Sequence, residues 1–294
     1  MQSLPTHLKG TLLTALGVLV LTPDGLLVRL INADTWTLLF WRGIFFSIGI
    51  FGFYILRYGK GAIERTLTTG TRGLQAAFCF ALSTICFVSA LHNTTVANTL
   101  VIIATAPLVS ALISLIFLKE KISPSTWIAI LISTGGIAYI FKGSLSGEQI
   151  IGDLYALGAA IAIASHITTV RVARSMDMVP TLGVSGIMIA LFSLMLTTSV
   201  TVSTADLAYL ILLGVFVLPI AFGLITIGPR YIPAAEVSLL MLLESFLGPI
   251  WVWLIIGEEP AAETLIGGAL VISTLAAHTL YTTNSRRLQR AKGS

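Results

Sequence analysis

Residues 95–120 read TVANTLVIIATAPLVSALISLIFLKE, and residues 233–258 read PAAEVSLLMLLESFLGPIWVWLIIGE. An offset of 138 residues lays one on the other without a gap, and the match runs on through 95–139 and 233–277. Ala97 meets Ala235, Glu120 meets Glu258, Thr126 meets Thr264, Ile128 meets Ile266 and Ala138 meets Ala276. The identities are few, but the order is shared. Each stretch enters a helix through small residues, crosses an apolar span, reaches an acidic break and starts a second span. An offset of 142 residues pairs Gly10 with Gly152 and Arg29 with Arg171. The chain therefore reads as two related halves, 1–145 and 146–285, with a basic tail at 286–294.

Both stretches exceed the ~20 apolar residues that cross a bilayer as a helix. The rest of the chain is like them. Of 294 residues, 56% are hydrophobic and 10% charged, with a mean hydropathy of +0.96. A soluble domain carries roughly 25% charged residues, so lipid and neighbouring helices must solvate most side chains. Polar breaks divide the chain into spans near 10–31, 35–57, 72–91, 94–118, 124–141, 151–173, 179–200, 205–228, 233–256 and 263–282. The expected fold is all-α and polytopic, with ten transmembrane helices. Continuous apolar runs, not ten-residue alternating strands, exclude a β-barrel. The first span holds Asp24 and has no cleavage pattern with a polar domain behind it, so it reads as a retained helix and not a signal peptide.

Loop charges give the helices a direction. With both termini cytoplasmic, the inner side holds Lys9, Arg57, Lys60, Arg65, Arg72, Lys119, Lys121, Arg171, Arg174, Arg230, Arg286, Arg287, Arg290 and Lys292, which is 14 of the 17 basic residues. The other side holds Arg29 and Lys142, while Arg42 lies inside a span. The net charge of +4 thus follows from topology and does not call for nucleic acid. Five helices per half is odd, so the second half inserts upside down. Accordingly Lys119-Glu120-Lys121 is basic and inside, and its counterpart Gly257-Glu258-Glu259 is acidic and outside. Inverted repeats of this kind typify secondary transporters, with the substrate near the midplane between the halves.

At these residues the sequence resembles the drug/metabolite transporter superfamily, in particular its EamA-type ten-helix members, over essentially the whole chain. The family element "LEP", an apolar run, "GE" and a helix with small residues appears as Leu243-Glu244-Ser245, Trp251-Val252-Trp253, Gly257-Glu258 and Gly267-Gly268. Ser245 stands where the family has proline, and Pro249 follows one turn later. The first half reads Thr105-Ala106-Pro107 and then Leu118-Lys119-Glu120, keeping the proline and lacking the first acid. The resemblance implies movement of small polar metabolites across a bacterial inner membrane. Its ten-helix members include YddG-like amino-acid exporters. Other metabolites or drugs are the alternative cargo.

Charges inside spans are costly and mark candidate sites. Asp24 lies seven residues before the end of the first span and Arg42 seven after the start of the second. At 1.5 Å per residue both sit roughly 10 Å below the outer surface, where they can pair as a structural lock or as a gate. Glu244, mid-span, reads as a holder of a proton or an amine, or as a neutral carboxyl bonded to a neighbour. Glu236 and its repeat partner Asn98 line a pathway or satisfy helix ends. His166 occupies the repeat position of Asp24 and reads as a proton carrier or a bonded structural residue; His278 carries less. Pro23, Pro107, Pro219 and Pro249 remove backbone hydrogen bonds within spans and are candidate hinges. Phe78, Phe87, Phe222, Trp251 and Trp253 are candidate cavity walls. Ala156-Ala160-Ala164 and Gly43-Ser47 have the small-residue spacing of close helix contacts.

Gly183-Val184-Ser185-Gly186 matches the GxSG element of rhomboid-type intramembrane serine proteases, with His278 as the base to be tested. A channel is a further rival, needing a continuous lined pore. No GxxxxGK[ST] motor motif is present, and no Cys/His cluster suggests a metal. Cys79 and Cys86 are two helical turns apart, roughly 10 Å, too far for a disulfide. No catalytic residue, cofactor or obligate protein partner is expected, only a small-molecule substrate and the bilayer. Coupling to protons, exchange or the substrate's own gradient is left open.

Overall fold

A computed structural model describes residues 6–118, 124–125, 127–129, 131–132, 135–136, 139, 149–232, 234–263, 265–270, 272–274, 277 and 281. The described residues contain helices and turns and no strand. The helices are α1 (Thr6–Leu21), α2 (Asp24–Leu30), α3 (Thr35–Tyr58), α4 (Gly61–Leu67), α5 (Gly70–Asn93), α6 (Val96–Ile103), α7 (Ala106–Leu118), α8 (Ile150–Val172), α9 (Pro180–Leu194), α10 (Thr204–Ile211), α11 (Leu218–Ile227), α12 (Ala234–Leu240) and α13 (Leu242–Ile256). A π-helical turn, Leu212–Val217, joins α10 to α11.

Among the described residues, seven stretches are long and apolar enough to cross a membrane: Leu8–Leu30, Thr35–Tyr58, Gly70–Asn93, Val96–Ile113, Ile150–Val172, Thr204–Arg230 and Glu236–Ile256. Two shorter apolar helices, Pro180–Leu194 and Leu265–Thr274, fall where the sequence places its expected seventh and tenth spans. Much of the fifth span, the loop around Glu120, His278 and the basic tail lie outside the described residues. The molecule is thus an all-helical, multi-pass membrane protein.

Local chemistry sets the ends of these helices. Asp34 accepts the amides of Trp36 and Thr37 at 3.0 and 3.1 Å and starts α3. Gly59, at φ +55°, ends it. Thr95 caps α6 through the Asn98 amide, and Ser203 caps α10 through the Asp206 amide. The bundle has two ends. The turns at Asn32, Thr94 and Glu258 mark one, here the Asn32 end; Gly59, Arg171 and Gly228 mark the other, the Gly59 end.

Small residues bring the helices together. A Cβ on Gly43 of α3 would lie 2.6 Å from the Gly186 carbonyl of α9, and Ser47 Oγ donates to the Gly183 carbonyl at 2.8 Å. Ala156, Ala160 and Ala164 are fully buried along α8. The repeat also shows in the packing. A Cβ on Gly10 would meet Tyr231, and one on Gly152 would meet Asn93, each at 2.6 Å. Gly10 and Gly152 are counterparts at the 142 offset, and Asn93 and Tyr231 at the 138 offset. The first helix of each half therefore crosses the turn that opens the fourth span of the other half.

A candidate substrate cavity between the halves

Among the described residues four spans are interrupted, and each interruption faces one cavity. The first breaks at Thr22-Pro23, and Asp24 begins the helix beyond it. The fourth breaks at Ala104-Thr105, directly after Ile103. The ninth breaks at Met241. The eighth carries the π-helical turn, and Phe222 lies one turn past it. Asp24, Ile103, Met241 and Phe222 all line the cavity, and Glu244 lines it from α13. Phe80, Ser83, Thr84 and Phe87 supply its α5 wall. Its volume is about 40 Å³, space for roughly three waters.

The polar floor is an ion pair. Arg42 Nη1 donates to Asp24 Oδ1 at 2.6 Å and Nη2 to Oδ2 at 2.7 Å. Both side chains are buried, at 3% and 2% exposure. This two-pronged geometry is the strong form of a guanidinium–carboxylate contact. Arg42 Cζ also lies 5.9 Å from the Phe87 ring centre, within cation–π range. One donor is left over: Arg42 Nε is buried with no hydrogen-bond partner. Glu244 is buried at 7% exposure and close enough for its charge to interact with Asp24 and Arg42. The cavity thus holds two carboxyl groups and one guanidinium against apolar walls.

A family model, the EamA-like transporter family, matches residues 8–142 and again 150–279. The chain belongs to the EamA-like transporter family. A solved crystal structure superposes on this EamA-like transporter with a TM-score of 0.72 at 17% identity, covering 94% of this chain and 98% of the other. That likeness concerns the fold. No curated protein matches the sequence. The family makes the chain a membrane transporter of small molecules and not an enzyme.

In the EamA-like transporter, the cavity gathers Asp24, Arg42, Phe87, Phe222 and Glu244 from the residues singled out in the sequence. It leaves out Phe78, Asn98, His166, Glu236, Trp251 and Trp253, the last on the outside of the bundle. Phe78 points away from the bundle, 59% exposed. It lies nine residues from Phe87, two and a half helical turns, so the two face opposite ways. Trp251 is at the periphery, its Nε1 donating to Thr22 Oγ1 at 3.2 Å. Asn98 is buried nearer the Asn32 end, its Nδ2 3.4 Å from Asp153 Oδ1. His166 stands one layer behind the cavity, with Nδ1 2.9 Å from the Ala76 carbonyl and its ring edge-on to Phe80.

The prolines divide in the same way. Pro23 sits in the first break, Pro107 just past the second, and Pro219 just past the π-helical turn. Pro249 lies inside α13, which runs on through it without a break. The ninth span breaks instead at Met241, within one residue of the repeat position of the first-half break. There Ser245, standing at the place of Pro107, donates to the Leu100 carbonyl at 2.9 Å. Phe80, Ser83 and Thr84 were missed as wall residues. Their signal was present: with Phe87 they follow the i, i+3, i+4, i+7 spacing of one helix face.

The GxSG element has a packing role. Gly186 admits Ser47 and Gly43 of α3, Gly183 admits the Phe51 ring, and Ser185 Oγ donates to the Leu182 carbonyl at 2.6 Å. Such close helix contact needs small residues whether or not a nucleophile is present.

Proposed function

We propose that this transporter exports amino acids across the bacterial inner membrane by alternating access, with both termini cytoplasmic and the Asn32 end outside. The observation that carries the reading is the cavity's complementarity to a zwitterion. Arg42 Nε offers an unmet N–H to a carboxylate, Glu244 offers a carboxyl to an amine, and aromatic walls accept an apolar side chain. At about 40 Å³ the cavity admits waters but not an amino acid, so helices must part to load it. Interrupted spans meeting at the site supply the joints, as in other carriers with discontinuous helices. The charge asymmetry of the loops supports the orientation.

Two carboxyl groups against one guanidinium favour a second reading, an apolar organic cation as cargo. Purified protein in liposomes, offered labelled amino acids with and without a pH gradient, separates the two. Saturable amino-acid flux competed by other amino acids supports the first reading, and dependence on the gradient adds proton coupling. Flux of ethidium with no amino-acid flux or competition replaces it with the second.

A further inference from the structure

At the Asn32 end both halves meet around a recess of about 530 Å³, within the ~300–1,000 Å³ of small-molecule sites. Arg29 closes α2 and Glu258 follows α13. Their Nε and Oε2 lie 3.3 Å apart, with both side chains partly open to the recess. Each makes a second contact. Arg29 Nη2 donates to the Thr94 carbonyl at 2.8 Å. Glu258 Oε1 accepts the Val96 amide at 2.9 Å, so a second-half carboxylate satisfies the start of a first-half helix. Asp153, also from the second half, accepts Thr94 Oγ1 at 2.9 Å. The halves cannot separate at this end while these contacts hold. Arg29 Nε, beside Glu258, is itself buried and has no aligned hydrogen-bond acceptor.

We propose that Arg29 and Glu258 form a second, outer binding site for a zwitterion, and that its occupation opens this mouth. As Glu258 turns to the ligand's amine it uncovers the unmet Nε–H of Arg29, which the ligand's carboxylate takes. Every charge keeps a partner, so the exchange avoids the cost of leaving one bare. A carboxylate alone strands Glu258, and an amine alone strands Arg29. Once turned to the amine, Glu258 leaves the Val96 amide, which removes one of the contacts between the halves and leaves the Thr94–Asp153 hydrogen bond to part as the mouth opens. The site rests on the reading of the central cavity as a zwitterion carrier, whose arginine–carboxylate pattern it repeats. Arg171, the counterpart of Arg29 at the 142 offset, donates to the carbonyls of Pro229 and Ile232 at 2.8 and 3.3 Å. Ile232 is the counterpart of Thr94, so the arginine-to-turn contact belongs to both mouths.

The test is equilibrium binding of labelled L-leucine to the purified full-length protein, wild type beside Glu244→Gln and Glu258→Gln. Glu244 lines the central cavity without a hydrogen-bond partner among the described residues. Glu258→Gln keeps an oxygen for the Val96 amide, so the turn stays capped. Two sites are expected in the wild type, with one lost in each variant. Leucinamide and isocaproate are expected to compete at the outer site about tenfold more weakly than leucine, or worse, a difference of ~1.4 kcal/mol. A single site lost in Glu244→Gln and untouched in Glu258→Gln overturns the outer site and leaves the central reading standing. A single site lost only in Glu258→Gln does the reverse. No leucine bound by the wild type overturns both. Opening is read separately, with Thr84→Cys in a chain whose Cys79 and Cys86 are alanine. Labelling by an impermeant maleimide from outside should accelerate when leucine is added, and an unchanged rate overturns the gate.

Discussion

Among the described residues two arginine–carboxylate pairs join neighbouring spans, and they differ in nearly every physical respect. Arg42 and Asp24 are buried and two-pronged at 2.6 and 2.7 Å. Arg29 and Glu258 sit 3.3 Å apart, at 29% and 23% side-chain exposure, without hydrogen-bond alignment. Removing one partner of a buried pair leaves a bare charge and costs ~3–5 kcal/mol. An exposed pair contributes ~0–1 kcal/mol and is screened by salt. The inner pair is therefore built to persist, and the outer pair to exchange partners.

The largest expected effect follows at the inner pair. Asp24→Arg or Arg42→Asp alone should destabilise the protein by about 3–5 kcal/mol or prevent its folding, measured by thermal unfolding in detergent. The double reversal should restore folding but not transport, because the guanidinium then stands on the wrong side of the cavity. Recovery of both would reduce the pair to a structural lock. Glu244 should behave in the opposite way. It has no hydrogen-bond partner among the described residues, so Glu244→Gln should leave stability within about 1 kcal/mol of wild type. Amino-acid flux into liposomes should nevertheless fall about tenfold or more, the loss of a charge-assisted contact of ~1.5–3 kcal/mol. Full flux would remove Glu244 from the site.

How far these groups were legible in the sequence depends on what placed them. Composition and the 138-residue offset set out the helical, two-half architecture, because membrane spans are fixed by length and apolarity. Asp24 and Arg42 were legible because equal depth on adjacent spans forces charged groups to meet. Phe78 was misread because chemistry was weighed without helical phase. The recess at Arg29 and Glu258 was not legible, since it joins loops 229 residues apart in sequence. The break at Met241 was hidden because the motif suggested a proline kink, whereas the repeat keeps the break and replaces the proline with Ser245.

A third acid stands at the same mouth as the outer pair and gives a pH test. Burial works to raise the Asp34 carboxyl, but hydrogen bonds from Thr37 and the Trp36 amide together hold it below its ordinary value of 3.8. A carboxyl lowered by folding contributes stability above its unfolded value and loses it as pH falls through the folded one. Asp34→Ala should therefore cost ~1 kcal/mol at neutral pH, as lost helix caps do. That gap should shrink once acid protonates the wild-type carboxyl, below its ordinary value. A gap independent of pH would mean that the cap acts through shape alone.

The smallest effect should come from the outer pair, and salt is its sharpest probe. Glu258→Gln removes the charge but keeps an oxygen for the Val96 amide, so only the ion pair is lost. The cost should be no more than ~1 kcal/mol at low salt. At 1 M salt, where screening acts over ~3 Å, wild type and variant should unfold at the same temperature. The inner pair, closed off from solvent, should show no such convergence between wild type and Asp24→Asn. If the outer gap persists in high salt, Glu258 is held as firmly as Asp24, and a zwitterion would have no loose contact to displace.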